Sequence, residues 1–254
     1  MKQKSKFLDV AINAAKKAEK ILLKYYYKKI QVDIKKDFSP VSIADKEAER
    51  IIIETIKKQF PSHSFLAEES AKSIKKKDYL WIIDPIDGTK NYLRKLPLFA
   101  TQIALMRKGE LILGISNAPI LKELIYAEKG RGAYCNNSKI HVSPLKELNK
   151  SYMIFGGIEY FDKHKLLKNL IYLINKTQGH RGIGDFWSYH LLAQGKIDIM
   201  IEAQTKIWDI AAVKVIVEEA GGKVTDINGN KVGITTNSLL ATNGKLHQLV
   251  LNYF

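Results

Sequence analysis

Apolar and polar positions change period several times along this chain, and each change marks an element. From Phe7 to Tyr25 the residues Phe7, Ala11, Ala14, Ala15, Ala18, Leu22 and Tyr25 recur at helical spacing, so an amphipathic helix is expected with that stripe inward. The tyrosines Tyr25 to Tyr27 are read as its packed end rather than a stacking platform. After a loop over Lys35 to Pro40, a second helix is expected from about Ser42–Asp45 to Phe60. Ala48, Ile51, Ile52, Thr55 and Ile56 would face inward, and Pro61 would stop it.

Short apolar runs follow. Phe65 to Ala67, Tyr79 to Ile83, Leu98 to Met106, Leu111 to Asn117 and Leu124 to Ala127 are expected as strands, with Lys108-Gly109 turning between the long pair. Later, Asp185 to Gln194 is expected as a helix, Ile197 to Ile201 as a strand, Asp209 to Ala220 as a helix and Val224 to Ile227 as a strand. Gly221-Gly222 supplies the stop for that last helix. Strands and helices mix without strict alternation, which argues for a layered α+β protein. There is no internal repeat and no low-complexity linker. A seam near residues 145–150 would divide one unit spanning 1–254 into two halves, roughly 1–147 and 148–254.

The 254 residues include 46% apolar and 26% charged, which excludes a disordered or collagen-like chain. Lys and Arg number 41 against 26 Asp and Glu, a formal charge of +15. That balance points to an anionic partner, whether nucleic acid, a membrane surface or a small anionic substrate, without choosing among them. The single cysteine, Cys135, excludes an intrachain disulfide and a cysteine-built metal cluster within the chain, and fits a reducing compartment. The longest uncharged run, Val232 to Gly244, has 13 residues, short of the roughly 20 apolar residues of a membrane span. The start, Met1-Lys2-Gln3-Lys4 followed by Asp9, Lys16 and Lys17, does not read as a signal peptide. The cytoplasm is the expected location, with no membrane association.

Candidate chemistry concentrates in Trp81-Ile82-Ile83-Asp84-Pro85-Ile86-Asp87-Gly88-Thr89. An apolar strand ends in two carboxylates three apart, with Pro85 fixing the turn. Asp84, Asp87 and the Ile86 carbonyl offer hard oxygen ligands for Mg²⁺. Gly88 permits close backbone approach, and the Gly88 and Thr89 N–H groups suit a phosphate. The alternative for this segment alone is an Asp-Gly turn with Asp87 capping a helix. Glu68-Glu69 after a short strand, Asp209 in Trp208-Asp209-Ile210-Ala211-Ala212, and Asp45 at the head of the second helix carry similar capping or solvated alternatives. Four separate carboxylate sites at element ends in a basic chain form a pattern: clustered, they would repel unless cations bound them.

Ala67-Glu68-Glu69-Ser70, Asp84-Pro85-Ile86-Asp87-Gly88-Thr89 and Trp208-Asp209-Ile210-Ala211-Ala212, in that order and spacing, resemble the inositol monophosphatase superfamily over nearly the whole chain. The resemblance implies a layered αβαβα sandwich, commonly dimeric, and a cytoplasmic Mg²⁺-dependent phosphomonoesterase with two or three ions. Glu68, Asp84, the Ile86 carbonyl, Asp87 and Asp209 would be metal ligands. Asp45 and Thr89, with Glu68, would position and activate the attacking water. Asp87, Gly88, Thr89 and Asp209 would border the bound substrate. Metal-assisted in-line displacement, with no phosphoenzyme, and sensitivity to lithium are implied as well. One departure is Ala67, where the family usually has Gly. The first half of the chain would then carry the metal site and the second half the substrate rim.

Gly184-Asp185-Phe186-Trp187-Ser188-Tyr189, with Lys90 to Pro97 and Ser116-Asn117-Ala118-Pro119, resembles the histidinol-phosphate phosphatase branch, a step of histidine biosynthesis. Histidinol phosphate carries an ammonium and an imidazole beside its phosphate, which Asp185 and Glu202 could pair with. A helix N-cap is the alternative for Asp185. Alternatives of the same superfamily are an inositol-1-phosphate, 3′-phosphoadenosine nucleotide or fructose 1,6-bisphosphate phosphatase. A basic nucleic-acid-binding protein is a further alternative, although no helix-turn-helix, OB or RRM signature is present. Lys72 to Lys77 reads as a solvated loop, Phe186 and Trp187 as core, and Arg94 and Arg131 as surface. The six histidines show no metal-ligand spacing.

Overall fold

A computed structural model describes residues 4–28, 32–34, 40–70 and 78–254. Helix α1 (Lys6–Tyr26) starts at Ser5, whose hydroxyl accepts from the Leu8 N–H, and buries Leu8, Ala11, Ala14, Ala15, Ala18, Leu22 and Tyr26. This is the expected stripe, turned slightly at both ends. Of the tyrosine run, Tyr26 packs against Tyr92 and Phe99, whereas Tyr27 is 76% exposed. Consecutive helical residues point about 100° apart, so three adjacent rings cannot share one buried face. Strands β1 (Val32–Ile34) and β2 (Pro40–Ser42) form an antiparallel ribbon that leads into α2 (Ile43–Gln59). The expected loop from Lys35 lies outside the described residues up to Pro40, and so does the Lys72 to Lys77 run.

A seven-stranded sheet follows in chain order: β3 (Ser64–Ala67), β4 (Tyr79–Asp87), β5 (Ala100–Arg107), β6 (Glu110–Ala118), β7 (Glu123–Glu128), β8 (Ala133–Cys135) and β9 (Ser138–Ile140). Only β3 and β4 are parallel within it. The short helix α3 (Thr89–Leu93) joins β4 to β5. The second sheet has five strands: β10 (Tyr152–Phe155), β11 (Gly179–Arg181), β12 (Ile199–Glu202), β13 (Lys223–Thr225) and β14 (Leu239–Thr242), in the order β11-β10-β12-β14-β13. Around it lie α4 (Ile158–Lys163), α5 (Leu167–Ile174), α6 (Asp185–Ala193), α7 (Ile207–Glu219) and α8 (His247–Leu251). The strand expected to reach Ile227 stops at Thr225, because the Asp226 carboxylate turns the chain by accepting from the N–H groups of Asn228 and Asn230.

Strand alternation builds the layers. Trp81, Ile83, Ile103, Leu105, Leu113 and Ile115 point to one side and are covered by α1 and α2. Leu80, Ile82, Ala104, Met106 and Leu111 point to the other, onto α6 and α7. The far side of those helices meets Ile154, Met200, Leu239 and Ala241 of the second sheet. Helix α7 is buried over nearly all of Ile207 to Val217, as a helix between two sheets must be apolar all round. Met153, Ile199, Ile201 and Leu240 pack outward against Phe161, Leu170, Leu173 and Val250 of α4, α5 and α8. The result is an αβαβα sandwich. Helix α7 lies so close to β6 that a Cβ at Gly114 would sit 2.2 Å from the Ala212 carbonyl oxygen. Among the described residues, no helix is long and apolar enough to cross a membrane.

His247 is wholly buried on α8, between the hydroxyls of Thr225 at 3.0 Å and Thr242 at 3.1 Å. Burial pushes its pKa down to about 4 from 6.5. A depressed imidazole pKa means that the folded state favours the neutral ring. This contribution is therefore complete above pH 6.5 and lost as pH falls toward 4, about 3 kcal/mol over that window. Urea unfolding at pH 7 and pH 4.5 should show His247→Asn losing less stability on acidification than the parent. An equal loss would remove His247 as the source.

Candidate active site

The site starts from the end of β4. The ladder with β5 runs in register to Asp84 and then slips by a bulge before Asp87, so the strand continues four residues beyond the expected Ile83. Asp84 Oδ1 accepts from the Ile86 N–H at 2.9 Å, and Thr101 on β5 donates to the Pro85 carbonyl at 3.0 Å. Asp87 does not cap the next helix: its Oδ2 accepts from Gln102 Nε2 at 3.1 Å, and Gly88 is the residue at the helix boundary, without a side-chain cap. Gly88 has φ of +87°, and a Cβ there would meet the Leu98 carbonyl at 2.7 Å. Both conditions require glycine. Thr89 donates its hydroxyl to the Ile86 carbonyl at 2.8 Å. That carbonyl keeps a second lone pair, and Thr89 keeps acceptor capacity.

Three other elements bring acids to this bulge. Asp45 is the third residue of α2, and its Oδ2 accepts from both the N–H and the hydroxyl of Ser42, each at 2.7 Å. The capping alternative is therefore real, but it uses one oxygen only. Asp45 Oδ1 is buried without a hydrogen-bond partner. Asp209 is the third residue of α7, a helix that begins two residues before the expected start. Its Oδ2 accepts from the Lys206 N–H at 2.8 Å and from Thr205 at 3.1 Å. Glu68 follows β3, and its N–H donates to the Ile83 carbonyl at 3.1 Å. The next N–H, that of Glu69, donates to Glu49 at 2.8 Å.

These acids feel one another's charge. Burial first, and then Glu68, Asp87 and Asp209, hold the Asp84 carboxyl well above the usual range. Asp87 is raised by burial, then by Asp185 and Asp209, against a lowering hydrogen bond from Gln102. Burial and Glu68 likewise raise Asp45. Burial lifts Asp209 to about 7, with Glu68 and Asp185 adding to it. Among the described residues, no three His, Cys, Asp or Glu side chains stand in an arrangement that would hold a metal ion; the expected ligands Glu68, Asp84, Asp87 and Asp209 are linked here only by the effect of each charge on the next. An all-oxygen donor set, crowded negative charge and the orphaned Asp45 oxygen all suit a hard divalent cation.

The rim lies on α6 and β12. Asp185 sits at the first position of α6 with φ of +56°. It is not the N-cap: Gly184 occupies that place, and the Asp185 carboxylate instead accepts from Asn91 of α3 at 3.2 Å. Burial raises its pKa, partly offset by Lys90 and Asn91. Glu202 ends β12 and is pushed up to about 8 by burial, with Asp185 and Asp209 contributing. Phe186 is buried and Trp187 half-buried, as expected. Arg94 and Arg131 are exposed. Of the histidines, His190 and His247 are buried, in hydrogen-bonded settings remote from any ligand pattern.

Sequence reading missed Glu49, Asn91, Gln102, Tyr189 and Thr205. Glu49 was open to discovery, since it lies four residues after Asp45 and so on the same helical face. Thr205 lies four residues before Asp209, whereas Asn91, Gln102 and Tyr189 reach acids 94, 15 and 13 residues away, with no local signature.

A sandwich of this order, with acids gathered at a strand bulge and at two helix starts, suits chemistry on an anionic substrate assisted by a divalent cation. The sequence profile of the Inositol monophosphatase family matches residues 3–254. The histidinol-phosphatase of Mycobacterium tuberculosis is 36% identical over 227 residues, covering 87% of each chain. The fructose-1,6-bisphosphatase/inositol-1-monophosphatase of Thermotoga maritima is 35% identical and covers 96% of this chain and 94% of its own. The crystal structure of the extragenic suppressor protein suhB from Bartonella henselae superposes with a TM-score of 0.91 at 32% identity, covering 98% of both chains. The chain belongs to the inositol monophosphatase family and is a phosphoric monoester hydrolase.

Proposed function

We propose that the chain is a Mg²⁺-dependent phosphatase for a small phosphorylated metabolite, with L-histidinol phosphate as the substrate. Asp84, Asp87, Asp209, Glu68 and the Ile86 carbonyl would hold the ions. Bound Mg²⁺ would supply charge neutralisation, an acidified water and a polarised phosphate. The chain's own residues supply the rest. Gly88 and Thr89 present N–H groups to the phosphate. Asp45 Oδ1 and the Thr89 hydroxyl are the acceptors that would orient the attacking water, and Glu68 takes part in its activation. The Asp87–Gln102 hydrogen bond keeps one carboxylate oxygen fixed while the other turns inward.

The substrate assignment rests on one observation: a half-buried carboxylate, Asp185, tied to Asn91 at the start of α6 and close enough to Glu202 and Asp87 to raise their pKa values. Two acids at the rim suit a ligand bearing cations next to its phosphate, and inositol offers only hydroxyls. The name of the M. tuberculosis relative supports this reading, and that of the T. maritima relative marks the alternative. A homodimer in the cytoplasm and inhibition by lithium are part of the proposal.

The test is phosphate release with Mg²⁺ on histidinol phosphate, inositol 1-phosphate, 3′-phosphoadenosine 5′-phosphate and fructose 1,6-bisphosphate, with EDTA controls. Histidinol phosphate is expected to lead by tenfold or more in kcat/KM, about 1.4 kcal/mol of transition-state preference, and Asp185→Asn to erase that lead. A lead for inositol 1-phosphate would discard the substrate assignment.

A further inference from the structure

Glu202 is held on more than one side. Tyr189 donates its hydroxyl to Glu202 Oε2 at 2.5 Å, and Asp185 lies near enough to the same carboxylate to alter its pKa. Tyr189 and Asp185 lie four residues apart, one helical turn along α6. Across the carboxylate, a Cβ on Gly156 would sit 2.9 Å from Glu202 Cγ and 3.2 Å from Oε1. The helix itself is fixed one residue later. His190 is fully buried and bridges Glu123 of β7 at 2.9 Å and Ser116 of β6 at 2.7 Å. A carboxylate on the five-stranded sheet is thus oriented by a helix anchored to the seven-stranded one.

We propose that Tyr189 is a positioning residue for substrate selection: its hydroxyl fixes Glu202 in the one orientation from which it meets the substrate's non-phosphate end. The inference rests on the reading of Glu202 as a rim contact. Glu202 is half-buried with the Gly156 backbone close to its Cγ, and a short O–H···O bond to a carboxylate is among the stronger hydrogen bonds available. Removing the hydroxyl frees the carboxylate to turn without touching the metal ligands. Tyr189 therefore acts on discrimination between substrates rather than on the displacement itself.

The experiment compares kcat/KM for the best substrate of the panel with that for 4-nitrophenyl phosphate, which has no hydroxyl or ammonium to offer Glu202. In Tyr189→Phe the ratio of the two should fall about tenfold, carried by KM of the preferred substrate, with the melting temperature recorded alongside. Gly156→Ala crowds Glu202 from the opposite side and should lower the same ratio, which keeps the test open if Tyr189→Phe folds poorly. Equal losses on both substrates would show a merely structural tyrosine and overturn the proposal, as would a ratio changed by less than twofold in both variants. Glu202→Gln separates the two levels. If it lowers the ratio while Tyr189→Phe and Gly156→Ala do not, only the positioning role fails. If Glu202→Gln leaves the ratio intact, the rim reading fails with it.

Discussion

Asp84→Asn is expected to lower kcat/KM by a thousandfold or more while raising the melting temperature of the metal-free protein. A thousandfold loss corresponds to about 4 kcal/mol of transition-state stabilisation. Asparagine is nearly isosteric, and its carbonyl oxygen can keep the 2.9 Å hydrogen bond from the Ile86 N–H. Fold and bulge should therefore survive. What disappears is a negative charge in a buried place where Glu68, Asp87 and Asp209 already oppose it. Without metal that charge is a burden on the folded state, so its removal stabilises. With metal it is the attachment, so its removal ends the chemistry. Phosphate release and calorimetry on one preparation read both effects. Undiminished turnover would take Asp84 out of the site, and a lowered metal-free melting temperature would contradict the charge argument.

The second large effect concerns metal and pH together. Asp209 is raised to about 7 from 3.8 and Glu202 to about 8 from 4.5, both chiefly by burial. For a carboxyl whose pKa rises on folding, the folded state favours the protonated form. The stabilisation from these two groups is complete below about pH 4 and is lost as pH climbs through 7 to 8. A cation that satisfies the ionised acids offsets that loss. Melting temperatures with EDTA and with saturating Mg²⁺ should therefore differ little at pH 5 and by several degrees at pH 8. A Mg²⁺ shift that is the same at both pH values would mean that Asp209 is not where the ion binds.

Much of the fold was open to reading from the sequence where the signal is local. The helical stripe of α1, the Pro61 stop of α2, the Gly221-Gly222 stop of α7 and the alternating runs of β5 and β6 each state their structure within about ten residues. The stretch between Ser143 and Gly184 gave no such statement. Strands β10 and β11 are three or four residues long and parallel to their neighbours, so their pairing is decided by distant partners. The β8–β9 hairpin did carry a signal that went unread: Asn136 and Asn137 both take positive φ, which asparagine tolerates in tight turns.

The site divides in the same way. The acids were legible because each stands at an element end in a short motif. Their holders were not. Ser42 lies three residues from its acid, but Gln102, Asn91 and Tyr189 act across sheets and helices. Whether Asp185 was a cap or a rim acid could not be settled from sequence, since both readings place an acid at a helix start. Backbone geometry removes the capping reading, with Gly184 at the cap and Asp185 bonded to Asn91.

The central position of α7 also sets a timetable for synthesis. The seven-stranded sheet is complete in sequence by Ile140, yet the helix that covers its second face ends only at Glu219. At roughly 5 to 20 residues per second, ribosomes need several seconds to supply the difference. Throughout that interval Leu80, Ile82, Ala104, Met106 and Leu111 form an uncovered apolar face on a nascent chain. The sandwich that encloses the acids so thoroughly in the finished enzyme therefore makes the half-made one a client for chaperones, and slow translation between Val142 and Trp208 would prolong the exposure.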